Sequence, residues 1–187
     1  MLIRTTIPCT LMLSLSGTVL AVGLIVSLAM AGSSALAPLD EATLADLNSV
    51  FPGAGRFQAR SGDLPHFRVY ATEADESLLG FAYFSTDIEK LEKGYKAPIN
   101  FLVGMTLAGK ITGVKLIEHD EPYGYFSIET KPFHAQFKEK SILDRFRVGR
   151  DIDAISSATI TIASASRGIR NSGRRIARAY LAETGGT

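Results

Sequence analysis

No residue from Thr5 through Leu39 carries a charge, and Leu11–Ala31 is a nearly unbroken apolar run of 21 residues. About 20 apolar residues wound as a helix cross the hydrocarbon core of a bilayer, so this run sets the front of the chain apart from what folds behind it. Arg4 precedes it as a thin but correctly signed export signal. Two small-x-small sites follow, Ala29-Met30-Ala31 and Ala35-Leu36-Ala37. Cleavage after Ala37 would leave Pro38 at the new N-terminus, which makes Ala31 the better site. The run is longer than the apolar region of an ordinary signal peptide, which favours an uncleaved anchor. The expectation is a signal peptide or membrane anchor over residues 1–37 and one exported domain over residues 38–187. A buried N-terminal core helix is the alternative reading.

The single cysteine, Cys9, lies inside that segment. The rest of the chain therefore has no thiol for a disulfide, an iron–sulfur cluster or a c-type haem. Cys9 follows Thr6-Ile7-Pro8, which lacks lipoprotein spacing. Charge is divided along the chain: residues 38–161 are net −4 and residues from Ile162 onward net +4. Neither region has the basic footprint of a nucleic-acid binder.

Behind the leader, Asp40 can cap a short helix in which Leu44, Leu47 and Val50 recur at helical spacing, stopped by Pro52-Gly53. The middle reads as strands. Phe67 and Val69 alternate with polar neighbours, and Leu78–Thr86 and Ile99–Leu107 are apolar, aromatic-rich runs. Ala108-Gly109-Lys110 is a tight turn, which makes 99–117 a hairpin, and the charged stretch Asp87–Lys96 reads as a solvated loop. Further on, Phe133 and Phe137 share one face of a helix over Pro132–Lys140, Arg147–Arg150 is a turn, and a last helix runs from Thr161 to about Leu181. Strands grouped between helices predict an α+β domain with an antiparallel sheet and flanking helices.

Chemistry concentrates in Asp153-Ala154-Ile155-Ser156-Ser157-Ala158-Thr159-Ile160-Thr161. Small hydroxylated residues lead there into a helix N-terminus, where unpaired N–H groups and the positive dipole end favour a phosphate. Such residues also cap helices that bind nothing, so the residue types alone leave both readings open.

The segment resembles the flavinylation motif Asp-x-x-Ser-Gly-Ala-Thr-x-Thr of FMN-binding domains, found in subunits of sodium-pumping and Rnf-type oxidoreductases. Asp153, Ser156, Ala158, Thr159 and Thr161 match it, while Ser157 stands where the motif has Gly. Leu78-Leu79-Gly80-Phe81, Ile99–Gly104, Gly109–Val114, Glu118–Pro122 and Arg174–Ala177 extend the likeness over roughly 45–180. It is greatest to the periplasmic FMN domains of the NosR family, membrane regulators and electron donors associated with nitrous oxide reductase. The resemblance implies FMN joined by a phosphoester to Thr159, with Ser156, Ser157, Ala158 and Thr161 shaping the phosphate loop. It implies that Asp153 is part of the signal for an ApbE-type flavin transferase, that membrane redox subunits or the nitrous oxide reductase system are partners, and that the domain relays electrons. If position 157 requires positive φ, serine there costs about 1–2 kcal/mol.

Other groupings carry less. Glu118-His119-Asp120-Glu121 suggests a metal or acid–base site, but neighbours on an extended strand face opposite ways. By resemblance, Glu118 or His119 lines the flavin pocket. Tyr123 and Tyr125 flank Gly124 in an expected loop, where either ring could stack on a flavin; His66 and His134 read as surface residues. Arg167, Arg170, Arg174 and Arg178 form one basic helix face, either solvated or turned toward anionic headgroups or an acidic partner.

Overall fold

The structure is a computed structural model that describes residues 39–73 and 77–181. The apolar run and both cleavage sites lie outside the described residues. Among the described residues no helix is long and apolar enough to cross a membrane.

Helix α1 (Glu41–Val50) begins where the sequence places it, with Asp40 Oδ1 accepting from the Thr43 N–H at 2.6 Å. Five strands follow: β1 (Arg56–Ser61), β2 (His66–Tyr70), β3 (Leu78–Phe84), β4 (Asn100–Thr106) and β5 (Ile111–Glu118). They pair antiparallel in sequence order as one meander. β1 gives no apolar alternation to read, because Arg56-Phe57-Gln58-Ala59-Arg60-Ser61 is an edge strand buried only in part. β3 also ends sooner than its composition suggests. The Ser85 hydroxyl accepts from the Phe101 N–H at 2.9 Å, replacing the next rung of the ladder with a side chain. The chain then turns into the short helix α2 (Ser85–Ile88).

Alternation along the strands divides the sheet into two apolar faces. Phe67, Val69, Ala82 and Leu102 pack with Leu47, Val50 and Phe51 from α1. The other face is larger: Phe81, Tyr83, Phe101, Val103 and Met105 meet Phe133 and Phe137 around α3 (Lys131–Ala135), and Ile162, Ala165 and Ile169 from α4 (Thr159–Ile176). Helix α4 starts two residues earlier than its pattern implied and ends in a π-type turn, Ala177–Leu181. Its buried side is mostly small residues, among them Ser164, Ser166, Ser172 and Gly173, so its backbone lies close to the sheet.

Three sequence expectations change once the core is assembled. The stretch after Asp87 is not merely solvated: Ile88 is buried, and Glu92 accepts from Ser164 Oγ and pairs with Arg167 at 2.8 Å. His66 is buried against Phe81 and Tyr180, with Nδ1 2.8 Å from the Leu64 carbonyl, and the half-buried His134 places Nε2 2.7 Å from the Ile128 carbonyl. The arginine face of α4 is largely used inside the domain. Arg170 donates to the Arg145 carbonyl, and Arg174 donates to the carbonyls of Ile142, Leu143 and Asp144.

A cleft at the start of the last helix

The hydroxylated segment forms a turn that delivers the chain into α4. Its bond runs from the Ala158 N–H to the Ile155 carbonyl at 3.1 Å, with Ser156 and Ser157 between. Ser157 takes φ 70°. It is the third residue of the turn, where a left-handed backbone is what a type II turn requires and where Gly is normally favoured. No side chain caps the helix, because the capping position is Ala158. The N–H groups of the first turn are therefore left for an external acceptor, at the positive end of an 18-residue helix.

Thr159, the first residue of α4, is exposed, and so are Ser156, Ser157 and Ile160. Thr159 borders a cleft of about 310 Å³ walled by Tyr95, Tyr123, Ser157, Ile160 and Thr161. Tyr95 is 69% exposed and Tyr123 47%, so two aromatic rings stand at the cleft with little else covering them.

Glu121 fixes this arrangement. It is 5% exposed, and its carboxylate accepts from the N–H groups of Tyr95 (3.0 Å) and Lys96 (2.9 Å) and from the Thr161 hydroxyl. One side chain thereby joins the loop that carries Tyr95 to the first turn of α4. Burial alone would raise its pKa, but the hydrogen bonds from Thr161, Lys96 and Tyr95 outweigh it and hold the carboxyl below the ordinary glutamate value. The loop can pass this closely only because residue 94 is glycine: a Cβ there would lie 2.4 Å from Glu121 Oε1.

The remaining predicted positions distribute unevenly. Asp153 is exposed, and its N–H donates to Gln136 Oε1 at 2.6 Å. The Thr161 hydroxyl is turned toward Glu121. Glu118 and His119 line a separate hollow with Thr86, Pro98 and Asn100. His119 connects to the cleft indirectly, accepting from the Glu121 N–H at Nδ1 and lying 3.1 Å from Glu129 at Nε2. Tyr95 was not singled out by sequence reasoning, Ile160 entered only as an unspecified position of the hydroxylated motif, and Glu121 only within the Glu118–Glu121 group read as a metal or acid–base site. A lone tyrosine between Gly94 and Lys96 in a charged loop was the available signal for the first.

Comparison with known proteins finds a family match across this cleft. The model of the FMN-binding domain matches residues 94–173, which run from the glycine beneath Tyr95 through nearly all of α4. Residues 94–173 match the FMN-binding domain family. The chain is also similar to the regulatory protein NosR of Stutzerimonas stutzeri, with 27% identity over 126 residues, covering 62% of this chain and 17% of that relative. The chain thus spans about a sixth of the relative's length. FMN is the cofactor that the family match supports, and the cleft suits it. The exposed Thr159 hydroxyl, the uncapped first turn and the two open tyrosine rings offer polar donors for a phosphate and stacking surfaces for a ring.

Proposed function

We propose that the chain is an exported, membrane-associated electron relay whose FMN is linked through a phosphoester to Thr159. The observation that carries this reading is the exposed Thr159 hydroxyl at an uncapped helix start, on the wall of a cleft with Tyr95 and Tyr123, inside the FMN-binding match. When bound, FMN supplies one- or two-electron chemistry. The residues around it do the holding. The first-turn N–H groups and the dipole of α4 would stabilise the phosphate and Tyr95 and Tyr123 would border the ring, while Glu121 keeps both walls in place. An ApbE-type transferase with FAD as donor and magnesium as ion would make the attachment. In that attachment the Thr159 oxygen would bond to the FMN phosphorus as the FAD pyrophosphate breaks, with AMP leaving and the hydroxyl proton released. Electrons would pass between membrane redox subunits, in a NosR-like arrangement serving nitrous oxide reductase.

A second reading is favoured by one observation, the serine at the left-handed turn position. In it the domain keeps the fold without covalent flavin and acts as an exported regulatory or scaffold module.

Co-expression of the full chain with an active flavin transferase in an export-competent host separates the two. The expected intact mass after denaturation exceeds the chain mass by FMN less one water, and a Thr159→Val variant lacks the increment. No increment, with the transferase active on another target, would sink the covalent reading and leave the regulatory one.

A further inference from the structure

Residues Ser141–Asp144 form a tight turn with Leu143 near its apex, 77% exposed. The turn is held from within: the Asp144 N–H donates to the Ser141 carbonyl at 2.9 Å, and the Leu143 N–H to Ser141 Oγ at 3.2 Å. It is held from behind as well. Arg174 donates to the carbonyls of Ile142 (2.6 Å), Leu143 (2.9 Å) and Asp144 (3.2 Å), and Arg170 donates to that of Arg145 (2.7 Å). Two arginines of α4 thus build a rigid loop whose projecting side chain is a leucine.

Cations surround that leucine. Lys140, Arg145, Arg147 and Arg150 line a groove of about 430 Å³ with it, and the same three arginines border a second groove of about 360 Å³ that reaches Arg167. Among the described residues, the side chains of Lys140, Arg145, Arg147 and Arg150 make no ion pair. Two exposed acids share the groove, Asp144 and Asp151, and each is engaged by backbone: Asp144 takes the Ser141 N–H and Asp151 the Arg147 N–H. Four cations against two acids leave the face net basic around one apolar point.

We propose that this loop is a docking surface for an anionic lipid bilayer, with Leu143 entering the headgroup boundary and the arginines binding lipid phosphates. An aliphatic side chain in a ring of cations is what an interfacial contact requires, and Arg pairs with phosphate through two parallel hydrogen bonds. One exposed leucine is too small a core for a protein interface, which buries about 800 Å² on each partner. On a membrane it need only orient a domain that a second element attaches, because stable anchoring takes two signals. The surface is independent of whether Thr159 carries flavin.

The chain contains no tryptophan, so Leu143→Trp introduces a single fluorescent reporter at the proposed point of contact. The full-length variant is placed in nanodiscs of phosphatidylcholine alone, or mixed with phosphatidylglycerol, with and without brominated acyl chains. The expected result is a blue shift and bromine quenching with the anionic lipid, both reversed by high salt. Each cation near such a surface is worth about fivefold in partitioning. Adding Arg145→Ala, Arg147→Ala and Arg150→Ala should weaken the contact by on the order of 100-fold, with an unchanged melting curve because all three side chains are exposed. Water-like emission in both lipids overturns the proposal. So does a shift produced by polyglutamate but not by lipid, which would identify an acidic protein as the occupant.

Discussion

At Ser157 a left-handed backbone (φ 70°) is imposed on a residue with a Cβ. The conformation costs about 1–2 kcal/mol, partly offset in any comparison with glycine by glycine's larger unfolded-state entropy. Ser157→Gly should therefore stabilise the domain by up to about 1 kcal/mol, whereas Ser157→Val should destabilise it; urea unfolding measures both. Glu121 has the opposite character, with its cost already met by three donors. In Glu121→Gln the amide NH2 group must face one of those donors. A buried donor left unpaired costs about 1–3 kcal/mol, and faster hydrogen exchange should be confined to the amides around Tyr95 and Lys96 and the start of α4. Since the folded carboxyl titrates below its usual value, its contribution is complete above the unfolded pKa of 4.5 and fades as pH falls through the folded one. The Gln variant should lack that acid-limb dependence.

Helix α4 shows how one element can contain glycines of contrary meaning. A Cβ at Gly173 would lie 2.7 Å from Ile142 Cγ2 and 2.9 Å from the Tyr83 hydroxyl, whereas at Gly168 the nearest atom, Glu92 Cγ, is 3.8 Å away. Overpacking a closed site costs about 1–3 kcal/mol, while Gly→Ala at a buried helical position with room for the methyl gains up to about 1 kcal/mol. Gly173→Ala should lower the melting temperature and Gly168→Ala should raise it, which thermal denaturation followed by circular dichroism will check. The contrast follows from packing: Gly173 lies where α4 rests on the sheet and on the turn bearing Ile142, and Gly168 does not.

Across the whole domain, a buried and a half-buried histidine couple stability to pH. Burial pushes both His66 and His134 below the ordinary value of 6.5; the Leu64 and Ile128 carbonyls oppose the shift, and Arg68 adds to it at His66. The unfolded chain then binds more protons between the folded and unfolded pKa values, so stability rises with pH across that window. It is complete above about 6.5 and is lost as pH falls below it. A melting temperature that declines from pH 7 to pH 5 is expected, with a shallower slope in His66→Phe. A flat profile in the wild type would contradict the burial of these rings.

Much of this protein was legible because short-range chemistry repeats along the chain. Strand alternation at Phe67 and Val69, the Asp40 cap, and the hairpin at Gly109 each depend on neighbours within a few residues, and the structure has them. The hydroxylated run before α4 was recognisable for the same reason, as a contiguous motif. What stayed hidden depends on groups far apart in sequence. Glu121 reaches Thr161 forty residues on, His66 meets Tyr180, and Glu92 meets Ser164 and Arg167. Charge and polarity suggested solvent for His66 and for the loop bearing Glu92, because a polar residue shows no sign of burial until its partner is known. The sequence alone determined the strand order's ingredients and the position of the hydroxyl that faces the cleft. The tertiary structure alone decided that one buried carboxylate would brace that cleft, because only folding brings its three donors to a single point.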